Sequence, residues 1–229
     1  MIMRLAIDSN NLGVQHHQGG RLRESLQMFQ GSLQMLMYGS LDSGGLQQVL
    51  NNDNRVKLAL QSLNQSEHEM LVSKTEARLH EHRFLADDFV FTKAIPMLGS
   101  VSNNYEIKCA IILFNTALSY HLLSLEFPSH MGRNQQKALK LYKMSFQIAS
   151  SLHSYMCLEV SRLLSGLLNN LGKLSYDLGQ HDMSRFYFST LSAFIHSLPV
   201  SSHVMVAEER RGMLLNSFIL DLPSSAAAA

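Results

Sequence analysis

The chain is expected to be all-α, built from antiparallel helical hairpins that stack around an irregular insert. Three observations carry this. Asn-Leu-Gly occurs twice, as Asn11-Leu12-Gly13 and Asn170-Leu171-Gly172, and a Gly, a Ser and a Phe follow each motif glycine at 7, 12 and 16 positions (Gly20, Ser25, Phe29; Gly179, Ser184, Phe188). Fixed internal spacing is the mark of a repeated supersecondary unit. Apolar residues recur at steps of three and four through most of the chain, which gives each segment one apolar helical face. Between residues 39 and 105 that periodicity lapses and turn chemistry takes over.

Residues 3 to 18 read as a helix broken by Gly19-Gly20. Leu22, Leu26, Phe29, Leu33 and Leu36 set the inner face of a second helix, so 1–38 is a hairpin with a short turn. In the insert, 39–105, short helical pieces fit Leu46 to Leu50 and Val56 to Leu63, and 67 to 82 is a charged, His-bearing stretch. Phe84 to Met97 is β-like. A lone strand needs a partner, so a short β-hairpin is the expectation there. The helical pattern resumes at Glu106 and runs to Glu126. After a loop at Phe127–Gly132, a helix over Asn134 to His153 turns Ala138, Leu139, Tyr142, Phe146 and Ile148 inward, which makes 106–153 the second hairpin. The third, 154–198, pairs a helix over Cys157 to Leu178 with one that Asp182 is expected to cap and Pro199 to end. A last helix, His203 to Leu220, lies within 199–223, and 224–229 is a tail ending in Ala226–Ala229. That last helix places Leu214-Leu215-Asn216 on one side and Glu208-Glu209-Arg210-Arg211 on the other.

The three hairpins overlay. Phe114-Asn115-Thr116-Ala117 stands where Asn-Leu-Gly stands elsewhere, and Ala138, Tyr142 and Ser145 match Ser25, Phe29 and Ser32. The middle turn is longer by nine residues, an added loop over Leu125 to Arg133. This pattern resembles the tetratricopeptide repeat, in the Asn-Leu-Gly variety of kinesin-light-chain-like proteins. The small residue of the first helix (Gly13, Ala117, Gly172) lets two helices approach, and the aromatic of the second (Phe29, Tyr142, Phe188) fills the space between hairpins. The resemblance covers roughly residues 6 to 38, 110 to 149 and 165 to 198. It implies a short right-handed α-solenoid closed by a capping helix. Leu191 at the second small position of the third hairpin departs from the pattern, as do His16 and Ser175 where an aromatic is usual. The proline expected at a repeat end is also missing.

The resemblance further implies a concave groove, lined by the first helix of each hairpin, that takes a peptide or a partner helix. Carried over position by position, its lining is Asn10, Val14 and His17, then Phe114, Leu118 and His121, then Asn169, Lys173 and Tyr176. Asn10 and Asn169 are equivalent, and an Asn side chain both donates to and accepts from a peptide backbone. Paired asparagines can thus hold an extended chain without reading its sequence; the alternative is that they satisfy helix ends or water. Lys173 is the only Lys or Arg among the nine, which argues against a clamp for a terminal carboxylate. Apolar Phe114 and Leu118 favour an apolar peptide or an amphipathic helix. The insert or a sister subunit is a further candidate occupant, so self-association fits this reading.

Composition narrows the classes. Charged residues are 16% of the chain and the net charge is +1, which leaves no basic stripe for nucleic acid. No run of 18 apolar residues suggests a membrane span, and Met1 to Ser9 lacks the apolar core of a signal peptide, so a soluble, intracellular, cytoplasmic protein is expected. Cys109 and Cys157 sit in apolar helical contexts as free thiols. Phosphate-loop, nucleophile-elbow and dinucleotide motifs are absent. Neither an enzyme nor a cofactor is therefore expected. The alternative is a hydrolase or metal enzyme built on Glu67-His68-Glu69, His80-Glu81-His82 and Asp87-Asp88. Neither His-bearing cluster has two histidines at the four-residue step that puts both imidazoles on one helix face, and a solvated polar face is the simpler reading.

Overall fold

A computed structural model describes residues 2–41, 89–97, 104–151, 158–198 and 204–219. All regular structure among them is helical: α1 (Ile2–Gln18), α2 (Leu22–Leu41), α3 (Tyr105–Glu126), α4 (Met131–Ser151), α5 (Leu158–Asp177), α6 (His181–Ser197) and α7 (Ala207–Ile219), with one 3₁₀ turn at Pro128–His130. The helices pair as α1/α2, α3/α4 and α5/α6. Each pair packs on the next through α2/α3, α4/α5 and α6/α7, and the first helices also touch one another, α1 to α3, α3 to α5 and α5 to α7.

The repeated residues do equivalent work in two pairs at a time, the caps and small residues in the first and third and the buried serine in the first and second. Gly20 and Gly179 both adopt φ +72°, the left-handed region open to glycine. Arg21 N donates to His16 O and Gln180 N to Ser175 O, the same five-residue cap on α1 and α5. A Cβ on Gly13 would lie 2.6 Å from the Phe29 ring, and one on Gly172 would lie 2.7 Å from the Phe188 ring. The small residue therefore makes room for the aromatic of its own pair. Ser32 donates to Ala6 O and Ser145 to Ala110 O, each seven residues before the small position. Leu191 replaces that serine in the third pair, and Ser165, the matching residue of α5, turns its hydroxyl to Ser161 O instead.

Several boundaries differ from expectation. The nine extra residues of the middle pair form no long loop. Four extend α3, four extend α4 and one lengthens the connection, where Pro128 opens the 3₁₀ turn. Asp182 lies in the first turn of α6, not at its cap; Gln180 holds that position. A carboxylate in a first turn still meets the positive end of the helix dipole. Despite its interrupting Asn115, Thr116, Ser119 and His121, α3 is long and apolar enough by composition to cross a membrane, but 89% of its most apolar window is buried inside the stack.

The expected β-hairpin is not found in residues 89–97. This stretch is extended, as its composition suggests, but no strand lies beside it among the described residues. The rest of the insert, including the helical pieces expected at 46–50 and 56–63 and the clusters at 67–69, 80–82 and 87–88, lies outside the described residues. So do Cys157, Leu220 at the expected end of the last helix and the 224–229 tail.

Candidate functional site: an asparagine ladder holding an extended segment

Residues 89–97 run across the first helices of the stack, from α7 at the Phe89 end to α1 at the Met97 end. A free strand would leave its backbone groups unpaired. Here side-chain amides pair them. Asn11 Oδ1 accepts from Met97 N at 2.8 Å while its Nδ2 donates to Met97 O at 2.8 Å. Asn115 does the same to Ile95 (2.8 and 2.9 Å), and Asn170 to Phe91 (2.9 and 2.9 Å). An N–H and a C=O of one residue meeting one partner is the pattern of an antiparallel bridge. Each carboxamide thus stands in for a neighbouring strand. The backbone partners also fix which end of each amide is oxygen.

A second set of amides braces the first. Asn115 Nδ2 also donates to Asn10 Oδ1 at 2.9 Å, and Asn170 Nδ2 to the Tyr142 hydroxyl at 3.1 Å. Asn169 and Asn216 both donate to Phe89 O, at 3.1 and 2.6 Å, and Asn216 donates to Asn169 Oδ1 at 2.9 Å. Asn10, Asn115, Asn169, Asn170 and Asn216 are all buried. Buried amides without partners are costly, so this face and its occupant stabilise each other.

Side chains complete the seat. Phe91 is buried with its ring centroid 6.1 Å from that of Phe114 and the Arg162 guanidinium 5.9 Å away. A Cβ on Gly166 would lie 2.9 Å from the Phe91 ring, and one on Gly212 would lie 2.4 Å from the Phe89 ring. Glycine inside a helix costs about 1 kcal/mol against alanine; both interior glycines are explained by the rings that take the space. Lys93 Nζ is 2.8 Å from Glu209 Oε1, and Arg162 is 3.8 Å from the same oxygen. Glu209 also caps α7, because Oε2 accepts from Val206 N at 3.1 Å. Glu209, read from the sequence on the side of the last helix opposite Leu214-Leu215-Asn216, is buried.

No family model, no curated protein and no solved structure matches the chain.

The nine residues expected to line a groove divide into those on the segment and those away from it. Asn10 donates to Ile95 O at 3.4 Å, Asn169 reaches Phe89, Phe114 stacks near Phe91, and His17 Nε2 donates to Thr92 O at 2.7 Å. Val14 and Leu118 are core residues. Lys173 pairs with Asp177 one turn on. Tyr176 is exposed and meets His181 edge to face at 5.4 Å. His121 packs edge to face on Tyr142 at 6.0 Å. Sequence reasoning found the amide chemistry but placed it one residue early. The two-bond clamps are Asn11, Asn115 and Asn170, the asparagines of the repeated motif itself, and their recurrence in all three hairpins was the available signal. Asn216, Gly166, Gly212 and Glu209 were missed; two glycines inside helical patterns were the clue.

His121 sets an acid limit on this fold. It is fully buried, and neither ring nitrogen has a hydrogen-bond partner among the described residues. Burial, and then the charge of Lys173, lower its pKa from 6.5 to about 3. Burial also lowers that of His17, against the opposing bond to Thr92. The unfolded chain takes up these protons as pH falls through 6.5 and the folded chain does not. Stability is therefore full above about pH 6.5 and is lost as pH drops towards about 3. His121→Leu is expected to flatten this slope. Urea midpoints at about pH 7.5, 5.5 and 4.5 measure it, and a slope identical to that of the unmutated chain would refute the assignment.

Proposed function

We propose that this chain is a protein–protein interaction module of tetratricopeptide type, an assembly subunit whose groove holds an extended polypeptide by its backbone. The observation that carries the reading is the set of three asparagine clamps, each bonding both backbone groups of one residue in segment 89–97. Such clamps are indifferent to the side chains of the chain they hold and suit polypeptide recognition by added main-chain bonds. The equivalent caps of the first and third hairpins, and the small residues and aromatics of all three, support the repeat assignment. The enzyme alternative rests on side chains outside the described residues, and no observation favours it.

A full-length variant with 89–97 replaced by a Gly/Ser sequence of equal length tests the reading. Adding a peptide of residues 89–97 in trans is expected to raise its melting temperature progressively, with the logarithm of peptide concentration once that exceeds Kd, because a ligand of the folded state stabilises by mass action. If a saturating peptide leaves the melting temperature unchanged and calorimetry detects no binding, the groove is not a peptide site.

A further inference from the structure

Two of the inner helices carry the same recognition unit. In α5, Gly166 stands four residues before Asn170; in α7, Gly212 stands four residues before Asn216. A four-residue step puts both members of each pair on one helix face. In each unit the asparagine bonds the backbone of one segment residue and the glycine leaves space for that residue's ring: Asn170 and Gly166 with Phe91, Asn216 and Gly212 with Phe89. The matching pairs of α3 and α1 are Ile111 with Asn115 and Ile7 with Asn11, and the residues those asparagines clamp are Ile95 and Met97. The residue one turn before each clamp therefore tracks the side chain accepted there, glycine for an aromatic and isoleucine for an aliphatic. Between the two sets, the buried carboxylate of Glu209 meets Lys93, with Arg162 the other cation beside it.

Resting on the groove reading above, we propose that the groove also reads sequence in trans. Its ligand is an extended segment of a partner protein with aromatic residues at positions one and three, Lys or Arg at five, and aliphatic residues at seven and nine. It enters with its aromatic end at α7, and segment 89–97 is the internal stand-in for it. Positions one, three and five each meet a named residue of the stack, Gly212, Gly166 and Glu209; at seven and nine the isoleucine one turn before the clamp is the counterpart of an aliphatic side chain. An acidic residue at position five would face Glu209, and two β-branched residues would leave both glycine spaces unfilled. Thr92, Lys93 and Pro96 are exposed, so the segment's outer edge faces outward from the helices that hold it.

The test uses the full chain with Lys93→Glu, a change at an exposed position that loosens the internal segment and spares its buried residues. A fluorescent peptide of residues 89–97 is expected to bind this variant at least about tenfold more tightly than the unmutated chain, whose own segment competes. The same peptide carrying Lys93→Glu is expected to bind about tenfold more weakly, and to prefer a Glu209→Lys chain, where the charges are exchanged. A peptide with Phe89→Leu and Phe91→Leu is expected to lose binding to the Lys93→Glu chain and to lose less on one that also carries Gly166→Ala. Phe89→Ala, at a half-buried position, replaces Lys93→Glu as the loosened chain if that variant is not helical by circular dichroism. If all these peptides bind equally, the sequence code is overturned and the backbone groove stands. If none binds a folded, loosened chain, both fall. If the unmutated chain self-associates and Glu209→Lys abolishes this, the occupant is a second copy and the partner assignment is overturned.

Discussion

Replacing Asn170 by alanine is expected to lower the unfolding free energy by about 3 kcal/mol or more, the largest loss of any single amide in the ladder. The side chain bonds the N–H and the C=O of Phe91, the Tyr142 hydroxyl and the Asn169 amide, all in the buried interior. Truncation strands the two Phe91 groups, and each stranded buried group costs roughly 1–3 kcal/mol. Asn170→Asp keeps the acceptor for Phe91 N, but both donor bonds go and a charge is buried, so it is expected to be no better. Asn11 makes the same pair of bonds from a half-buried position, where water can replace what is lost, and Asn11→Ala is expected to cost only about 1 kcal/mol. Urea midpoints compare the three. Equal losses at Asn170 and Asn11 would show that the amides do not act through buried backbone groups.

Phe91→Ala is expected to cost about 3–5 kcal/mol, the range for truncating a buried ring. The ring touches Phe114, lies beneath Arg162 and fills the space over Gly166, so a residue from the insert behaves as part of the helical core. Gly166 supplies the internal control. In the unmutated chain Gly166→Ala sets a Cβ against a fully buried ring and is expected to destabilise, although alanine favours the helix by about 1 kcal/mol. With Phe91→Ala already in place only the Phe114 ring, 3.1 Å from that Cβ and now beside vacated space, still crowds it, and the same change is expected to stabilise by up to about 1 kcal/mol. Additive effects in this cycle would mean that the ring and the glycine do not share the space the structure assigns them.

The hairpins were legible because their signals are local. Gly20 and Gly179 announce the same helix end through the one backbone region glycine enters easily, and Phe29 and Phe188 recur sixteen residues after glycines whose missing Cβ they occupy. The length of α3 and α4 was less legible, because inserted residues with helical periodicity cannot be told from a loop by the spacing of the flanking motifs alone. The path of 89–97 was not legible as a whole. Its extended character follows from Phe89-Val90-Phe91-Thr92. Its partner does not, because the expected partner of a strand is a strand, and here it is side chains from helices 79 and 86 positions away in sequence.

By itself, then, the sequence determined the helical class, the pairing of helices, the glycine-marked ends of α1 and α5 and the close packing of small residue against aromatic, since each depends on contacts within one turn or one hairpin. It also placed amide chemistry on the inner helices. Only the tertiary structure decided which asparagines hold a chain, which chain they hold and in which direction it runs. Those facts depend on stacking four helices so that Asn11, Asn115, Asn170 and Asn216 fall in line, and no local pattern encodes the alignment of residues that far apart. The same stacking turned Glu209 inward to Lys93 and gave Gly166 and Gly212 their purpose, because a glycine inside a helix is only a weakness until a ring from elsewhere in the chain needs its space.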